Sequence, residues 1–328
     1  GIWMFRLDPT TGLRDYTATY PYVKDACDPY YGVKVAGGYW NSGEGSYFVR
    51  KNGWWYLFLS YGWLGTTGGY QIRIFRSKHL TGPYVDQNGN PAISAGEIPD
   101  NLTKDTGVRL TSSVLWSGGP ITLDTVEVSQ GHNSVLHRRS DGRLFMTYHT
   151  RFIGREGEDY ETHIRELLPT EDGWLVAAPY EYRGQAAVPP TRPDSVVGDY
   201  ELVRHDPHTF YNGERHADGE FVGINRPETI TLQPDGRVTS GGMVSFFDTP
   251  DANLPRSTDG PVVRGTWRML GTCGATNVRC CDTDMAITLD GVTYTGVFAE
   301  LPRETDGRTT LTFSAIGGNR TIWGARLA

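Results

Sequence analysis

Gly43-Glu44-Gly45-Ser46 opens an apolar stretch that reverses at Asn52-Gly53 and returns as Trp54-Trp55-Tyr56-Leu57-Phe58-Leu59-Ser60-Tyr61. The same order of events recurs downstream. Gly131-His132-Asn133-Ser134 opens a stretch that reverses at Asp141-Gly142 and returns as Leu144-Phe145-Met146-Thr147-Tyr148. Asn-Gly and Asp-Gly accept the positive φ angles that two-residue hairpin turns require, so each pair of stretches reads as two antiparallel strands. A third strand follows each pair, Gln71-Ile72-Arg73 in one unit and His163-Ile164-Arg165 in the other. Such an internal repeat predicts two blades of a β-propeller, with an insertion over about 86–127 between them. The innermost strand of a blade runs along the central channel. Glu44 and His132 are therefore expected at equivalent positions, both pointing to the axis from the same end.

Outward from these units the pattern stays that of strands. Asn88-Gly89, Asp172-Gly173, Asp235-Gly236, Asp290-Gly291 and Asp306-Gly307 mark further reversals, and no segment keeps a 3.6-residue apolar period for three turns. The chain of 328 residues holds 41 Gly and 19 Pro, with 38% hydrophobic and only 21% charged residues. That composition excludes a helical bundle or coiled coil, and nine Trp, eighteen Tyr and twelve Phe exclude a disordered chain. The expected class is all-β. Gln185-Ala186-Ala187-Val188-Pro189-Pro190-Thr191-Arg192-Pro193-Asp194 reads as a stiff linker. It divides the chain into residues 1–184, the linker 185–195, and residues 196–328. The last part shows about eight short strands, at 198–203, 228–233, 236–240, 265–270, 285–289, 293–299, 309–315 and 321–326, which suit a small antiparallel barrel or sandwich.

The net charge is −7, from 31 basic against 38 acidic residues, which argues against a nucleic-acid binder. The longest apolar runs are too short to span a bilayer, so no membrane role is expected. Cys273, Cys280 and Cys281 crowd together while Cys27 stands apart. With no paired Cys-x-x-Cys, a small local disulfide or buried thiols fit better than zinc. Asn101-Leu102-Thr103 and Asn319-Arg320-Thr321 have the spacing of glycosylation acceptors.

Several motifs together carry a resemblance. Ser42-Gly43-Glu44-Gly45-Ser46-Tyr47, the run Gly53 to Gly62, Tyr70-Gln71-Ile72-Arg73-Ile74-Phe75-Arg76-Ser77-Lys78, Leu80-Thr81-Gly82-Pro83-Tyr84, Gly131-His132-Asn133-Ser134-Val135 and Tyr148-His149-Thr150-Arg151 occur in this order. They resemble the arabinan-active branch of glycoside hydrolase family 43. Gly265-Thr266-Trp267, Tyr294-Thr295-Gly296-Val297-Phe298 and Ile322-Trp323-Gly324 are similar to the β-barrel appended to many of its members.

The resemblance implies the C-terminal blades of a five-bladed propeller, followed by the small barrel. It also implies hydrolysis of α-1,5-linked L-arabinofuranosyl bonds in arabinan or arabino-oligosaccharides with inversion, endo-acting, by a secreted or periplasmic enzyme. Glu44 falls on the position of the general acid, whose pKa a second carboxylate and a dry aromatic pocket would raise. His132 matches a histidine beside a calcium ion held largely through water. Its alternative is a hydrogen-bonded core imidazole. Trp40 and Trp63 flank the acid as candidates for stacking on sugar rings, and His149 and Arg151 as partners for sugar hydroxyls. For both tryptophans the alternative is a plain role in the propeller core.

One departure stands out. The two aspartates that serve this family as base and as pKa modulator lie upstream of the acid, and both positions would fall before residue 1. The blades they belong to would then come from a second polypeptide. Alternatives are a non-catalytic arabinan-binding fragment, or Asp25 or Asp28 acting as base or as pKa modulator. Exo action as an α-L-arabinofuranosidase, or action on xylan or galactan derivatives, turns on the loops 62–69 and 86–127.

Overall fold

In a computed structural model, the described residues are all except 22–26, 40–42, 98–105, 117–125, 156–158, 187–194, 207–210, 212, 215–216, 218–221, 226, 241–260, 271–282, 305 and 328. The linker tract 187–194, Trp40, Asp25, the sequon at Asn101 and the three clustered cysteines lie outside the described residues.

Twenty strands and no α-helix form the described chain. Strands β1 (Ile2–Met4), β2 (Cys27–Asp28) and β3 (Gly32–Tyr39) make the first sheet, with β3 in the middle. Strands β4 (Glu44–Lys51), β5 (Trp54–Tyr61) and β6 (Gln71–Ser77) then run as an antiparallel meander. β7 (Ile93–Glu97) returns to pair in parallel with β3, and β8 (Val108–Thr111) pairs with β6 to complete a four-stranded blade. The second blade is β9 (Glu127–His137), β10 (Leu144–Phe152), β11 (Glu161–Pro169) and β12 (Leu175–Ala177). The remaining strands are β13 (Gly198–His205), β14 (Glu228–Leu232), β15 (Arg237–Ser240), β16 (Val263–Met269), β17 (Asp284–Leu289), β18 (Val292–Pro302), β19 (Thr309–Gly317) and β20 (Arg320–Arg326). Each pairs with the next, and β13 pairs with β20, so this sheet closes into an eight-stranded antiparallel barrel.

Local chemistry explains most of these reversals. Asn52 and Gly53 have φ of 49° and 77°, and Asp290 and Gly291 have 49° and 83°. This is the left-handed pair that the expected hairpin turns demand. The stretch 86–127 differs from the expected insertion. It contributes β8 to the first blade and β7 to the first sheet. Val108–Thr111 is only four residues long and buried throughout, and its partners are distant in sequence.

Among the described residues three of the four apolar clusters do most to hold the sheets together. Leu57, Leu59, Phe75 and Tyr84 pack under the first sheet with Val33 and Val35. Tyr200, Leu202, Ile287, Phe298 and Phe313 fill the barrel. The largest cluster joins both blades to the outside of the barrel, where Tyr56, Phe58, Met146, Tyr148 and Trp174 share one core with Val297, Leu301, Ile316 and Trp323. Strands β19 and β20 are consequently buried on both faces along most of their length.

Asn319 sits in this junction, completely buried, and its Nδ2 donates to Asp86 Oδ2 at 2.8 Å. A side chain so enclosed cannot be a glycan acceptor, which overturns the reading of Asn319-Arg320-Thr321 as a sequon.

Candidate functional site

The innermost strands β4 and β9 lie against each other, and the Tyr47 hydroxyl donates to the Val135 carbonyl at 3.1 Å. Their register is broken where the chemistry gathers. β4 bulges between Glu44 and Tyr47, with Gly43 and Gly45 at positive φ. In β9, Ser129 and His132 take φ of 58° and 52°, rare for residues with a side chain. His132 stands in the middle of β9, five residues after Glu127, and not at the strand's start as the repeat suggested.

Glu44 and His132 meet at a third residue. The Tyr70 hydroxyl donates to Glu44 Oε1 at 2.5 Å and lies 3.1 Å from His132 Nδ1. The His132 backbone N–H donates to Ser60 Oγ at 2.8 Å, which ties β9 to β5 at this point. A tyrosine hydroxyl has one proton to give. With that proton directed to Glu44, the oxygen is left to accept from a proton on His132 Nδ1. Burial, together with the bond to Glu44, holds the Tyr70 phenol well above its ordinary range.

Gly131 and His149 are cross-strand partners, and the Tyr70 ring stacks on His149 with centroids 5.6 Å apart and planes 9° apart. A Cβ on Gly131 would come within 2.0 Å of the Tyr70 ring, so glycine is what lets the ring seat there. His149 also faces His132 at 6.4 Å and Tyr160 at 5.5 Å between centroids. Burial first, then the neighbouring His132 and Arg151, push His149 down to about 4. It is a neutral imidazole near pH 7, able to donate and accept hydrogen bonds. Arg151 is buried and lays its guanidinium 4.8 Å from the Tyr160 ring centroid.

Trp63 is 74% exposed on the loop 62–69, which is closed by its backbone N–H donating to Gly68 O at 2.9 Å. Ser129 Oγ donates to Leu64 O at 2.7 Å, so this loop is anchored to the site strand β9. At this exposure Trp63 packs into no core formed by the described residues.

Glu44 and His132 are both exposed. Among the described residues nothing encloses His132 as a core imidazole. The residue beside Glu44 is a phenol and not the expected second carboxylate, and among the described residues no group of three His, Cys, Asp or Glu side chains is placed to hold a metal ion. Calcium prefers six to eight oxygens, and no described residues build such a cage here. His132 Nε2 could give an ion one nitrogen, with water supplying the rest. Asp28 is occupied elsewhere, its Oδ1 accepting from the Tyr30 and Tyr31 N–H groups at 2.7 and 2.8 Å. That arrangement leaves it a turn-capping residue rather than a base.

Sequence reasoning missed Tyr70, Ser60 and Tyr160. The local signal was Gly131, whose missing side chain marks a close approach, but the residue approaching it comes from another sheet.

Residues 1–113 match the family described as glycosyl hydrolases family 43, and residues 179–324 match the C-terminal lipocalin-like domain of that family. The chain is 30% identical over 334 residues to extracellular endo-α-(1→5)-L-arabinanase 2 of Bacillus subtilis (strain 168), covering 99% of this chain and 59% of that protein. It is 34% identical over 244 residues to the extracellular endo-α-(1→5)-L-arabinanase of Thermotoga petrophila, covering 73% of this chain and 46% of that one. Among solved structures, a family 43 YxiA protein from Bacillus licheniformis superposes with a TM-score of 0.74 at 29% identity, covering 100% of this chain and 62% of that chain. The endo-1,5-α-L-arabinanase of Thermotoga petrophila does so with a TM-score of 0.73 at 28% identity and the same coverages. The chain thus spans about three-fifths of the first relative's length and under half of the second's. Both relatives carry the matched stretch and the remainder in one polypeptide, so they give no support to the expected second polypeptide.

Proposed function

Because the chain belongs to glycoside hydrolase family 43, we propose that it takes part in the hydrolysis of arabinan, cleaving internal α-1,5-L-arabinofuranosyl bonds with inversion. The names of the two relatives support this substrate, an endo mode and a place outside the cell. They favour an enzyme over a non-catalytic binding fragment. Among the described residues no helix is long and apolar enough to cross a membrane.

The observation that carries the proposal is the Glu44 carboxyl group, exposed at the meeting of two blades and held by Tyr70. In the proposed reaction Glu44 gives its proton to the glycosidic oxygen as the bond from that oxygen to C1 breaks. Water adds to C1 from the opposite face, and its proton passes to the aspartate base that the resemblance places upstream of Glu44. In inverting enzymes the two carboxyl groups stand roughly 6.5–9.5 Å apart to admit that water. Trp63 offers a sugar-stacking platform, and His149 and Arg151 offer polar contacts to sugar hydroxyls. Calcium beside His132 would contribute positive charge and ordered water. Closure of the blades into a five-bladed propeller belongs to the same proposal.

Replacing Glu44 with Gln tests the assignment. The two side chains are near-isosteric, so folding is expected to survive while kcat on debranched arabinan falls about 100-fold or more. A variant as active as the parent would remove Glu44 from the mechanism. Product analysis on the same substrate separates endo from exo action, with oligomers expected and arabinose alone counting against it.

A further inference from the structure

On the reading of Glu44 as the acid, we propose that Tyr70 is its positioning residue, fixing the carboxyl group where the leaving oxygen must be protonated. Among the described residues Tyr70 is the one side chain that hydrogen-bonds this carboxyl group. Glu44 is exposed at the first position of β4 between two glycines at positive φ, so nothing in its own segment restricts its three side-chain torsions. Spread over several rotamers, the acid would seldom face the glycosidic oxygen, and ordering it at each turnover would add to the barrier.

Tyr70 supplies the missing order. Its side chain is 1% exposed, its ring is clamped over the Gly131 and His149 pair, and its oxygen lies against His132. The ring cannot shift without striking β9. The hydroxyl also suits both states of the acid. While Glu44 holds its proton on Oε2, toward the glycosidic oxygen, Oε1 accepts from the phenol. Once the proton has gone to the leaving oxygen and Glu44 is a carboxylate, the phenol still donates to it. The bond is then charge-assisted and strengthens as the proton departs, so it favours the transition state over the bound substrate.

Leaving-group chemistry provides the test. A sugar alcohol needs its oxygen protonated to depart, whereas dinitrophenolate departs unaided. Steady-state rates are measured for the parent, Tyr70→Phe, Gly131→Ala and Glu44→Gln, on debranched arabinan and on a dinitrophenyl arabino-oligosaccharide. Tyr70→Phe keeps the stacked ring. It is expected to lower kcat on arabinan about 10- to 100-fold with KM nearly unchanged, and to alter kcat on the dinitrophenyl substrate less than about threefold. Gly131→Ala should show the same split, because its new Cβ displaces the ring and removes no functional group. Equal losses on both substrates, or full activity of Tyr70→Phe on arabinan, would overturn the proposal. If Glu44→Gln itself loses as much on the activated substrate as on arabinan, the acid assignment fails, and the tethering role falls with it.

Discussion

His163 shows how a single side chain can report on its surroundings. It lies almost buried on β11, with Nδ1 2.7 Å from Glu181 Oε1 and 3.7 Å from Glu127 Oε1. Burial alone would disfavour the imidazolium. The close ion pair with Glu181 and the charge of Glu127 outweigh it and lift the group to about 9, against the fully buried Arg165 cation nearby. A histidine with a raised folded pKa contributes its full stability below about 6.5, where the unfolded chain is also protonated, and loses it as the pH climbs through 9. Its pairing is thus worth roughly 2–3 kcal/mol at pH 6, fading by pH 10. His163→Gln should destabilise the protein at pH 6 and converge on the parent near pH 10 in urea unfolding. A difference independent of pH would show that the ion pair is not the cause.

At the scale of elements, the two blades are bolted together by Arg76 of β6. Its guanidinium lies between two indoles, 4.1 Å from the Trp54 ring centroid and 4.2 Å from that of Trp174, and Nη1 donates to Asp172 O at 2.8 Å. Cation–π contacts of this kind are worth about 0.5–2 kcal/mol each when partly desolvated. Arg76→Lys keeps the charge but not the flat surface that fills the slot, so a loss of about 1–2 kcal/mol is expected from chemical denaturation. An unchanged midpoint would assign the bolt to apolar packing alone. The residues of this contact illustrate what a linear reading can reach. Trp54 and Trp174 each follow a turn glycine, Gly53 and Gly173, and both turns were legible because Asn-Gly and Asp-Gly dictate backbone shape on their own. The strands flanking Asn52-Gly53, and all eight barrel strands, could likewise be placed to within about three residues at either end from alternation and punctuation, whereas the short β12 after Asp172-Gly173 was not marked. Contacts between turns of different blades have no such local code. For the same reason Glu44 and His132 could be singled out, each beside glycines in a repeated pattern, while Tyr70, which links them, could not. Strands β7 and β8 escaped notice because their partners β3 and β6 are set by distant register rather than by a neighbouring turn.

For the whole molecule, the decisive feature is that blades and barrel share one core. Trp323 of β20 is completely buried in it, stacked 6.4 Å from Trp116 at 10° between planes and 4.9 Å beneath the Arg165 guanidinium. Arg165 belongs to the second blade, and Glu304, from the chain between β18 and β19, reaches to 3.4 Å of it while accepting from the Glu181 N–H at 2.8 Å. Asp86, Asn319 and Gln87 form a second polar clasp between blade and barrel, with Asn319 Oδ1 accepting from the Gln87 N–H at 3.1 Å. Removing the indole would leave a cavity shared by both parts. Trp323→Ala should therefore cost about 3–5 kcal/mol. That loss should appear in the unfolding of the blades as well as of the barrel, because neither can keep its half of the core alone. Hydrogen exchange can follow β10 and β17 separately. Matched losses of protection in the two strands are expected, one in the middle of a blade and the other on the far side of the barrel. Loss confined to β17 would mean that the barrel is an independent unit resting on the blades, and that the continuity of the core does not couple them.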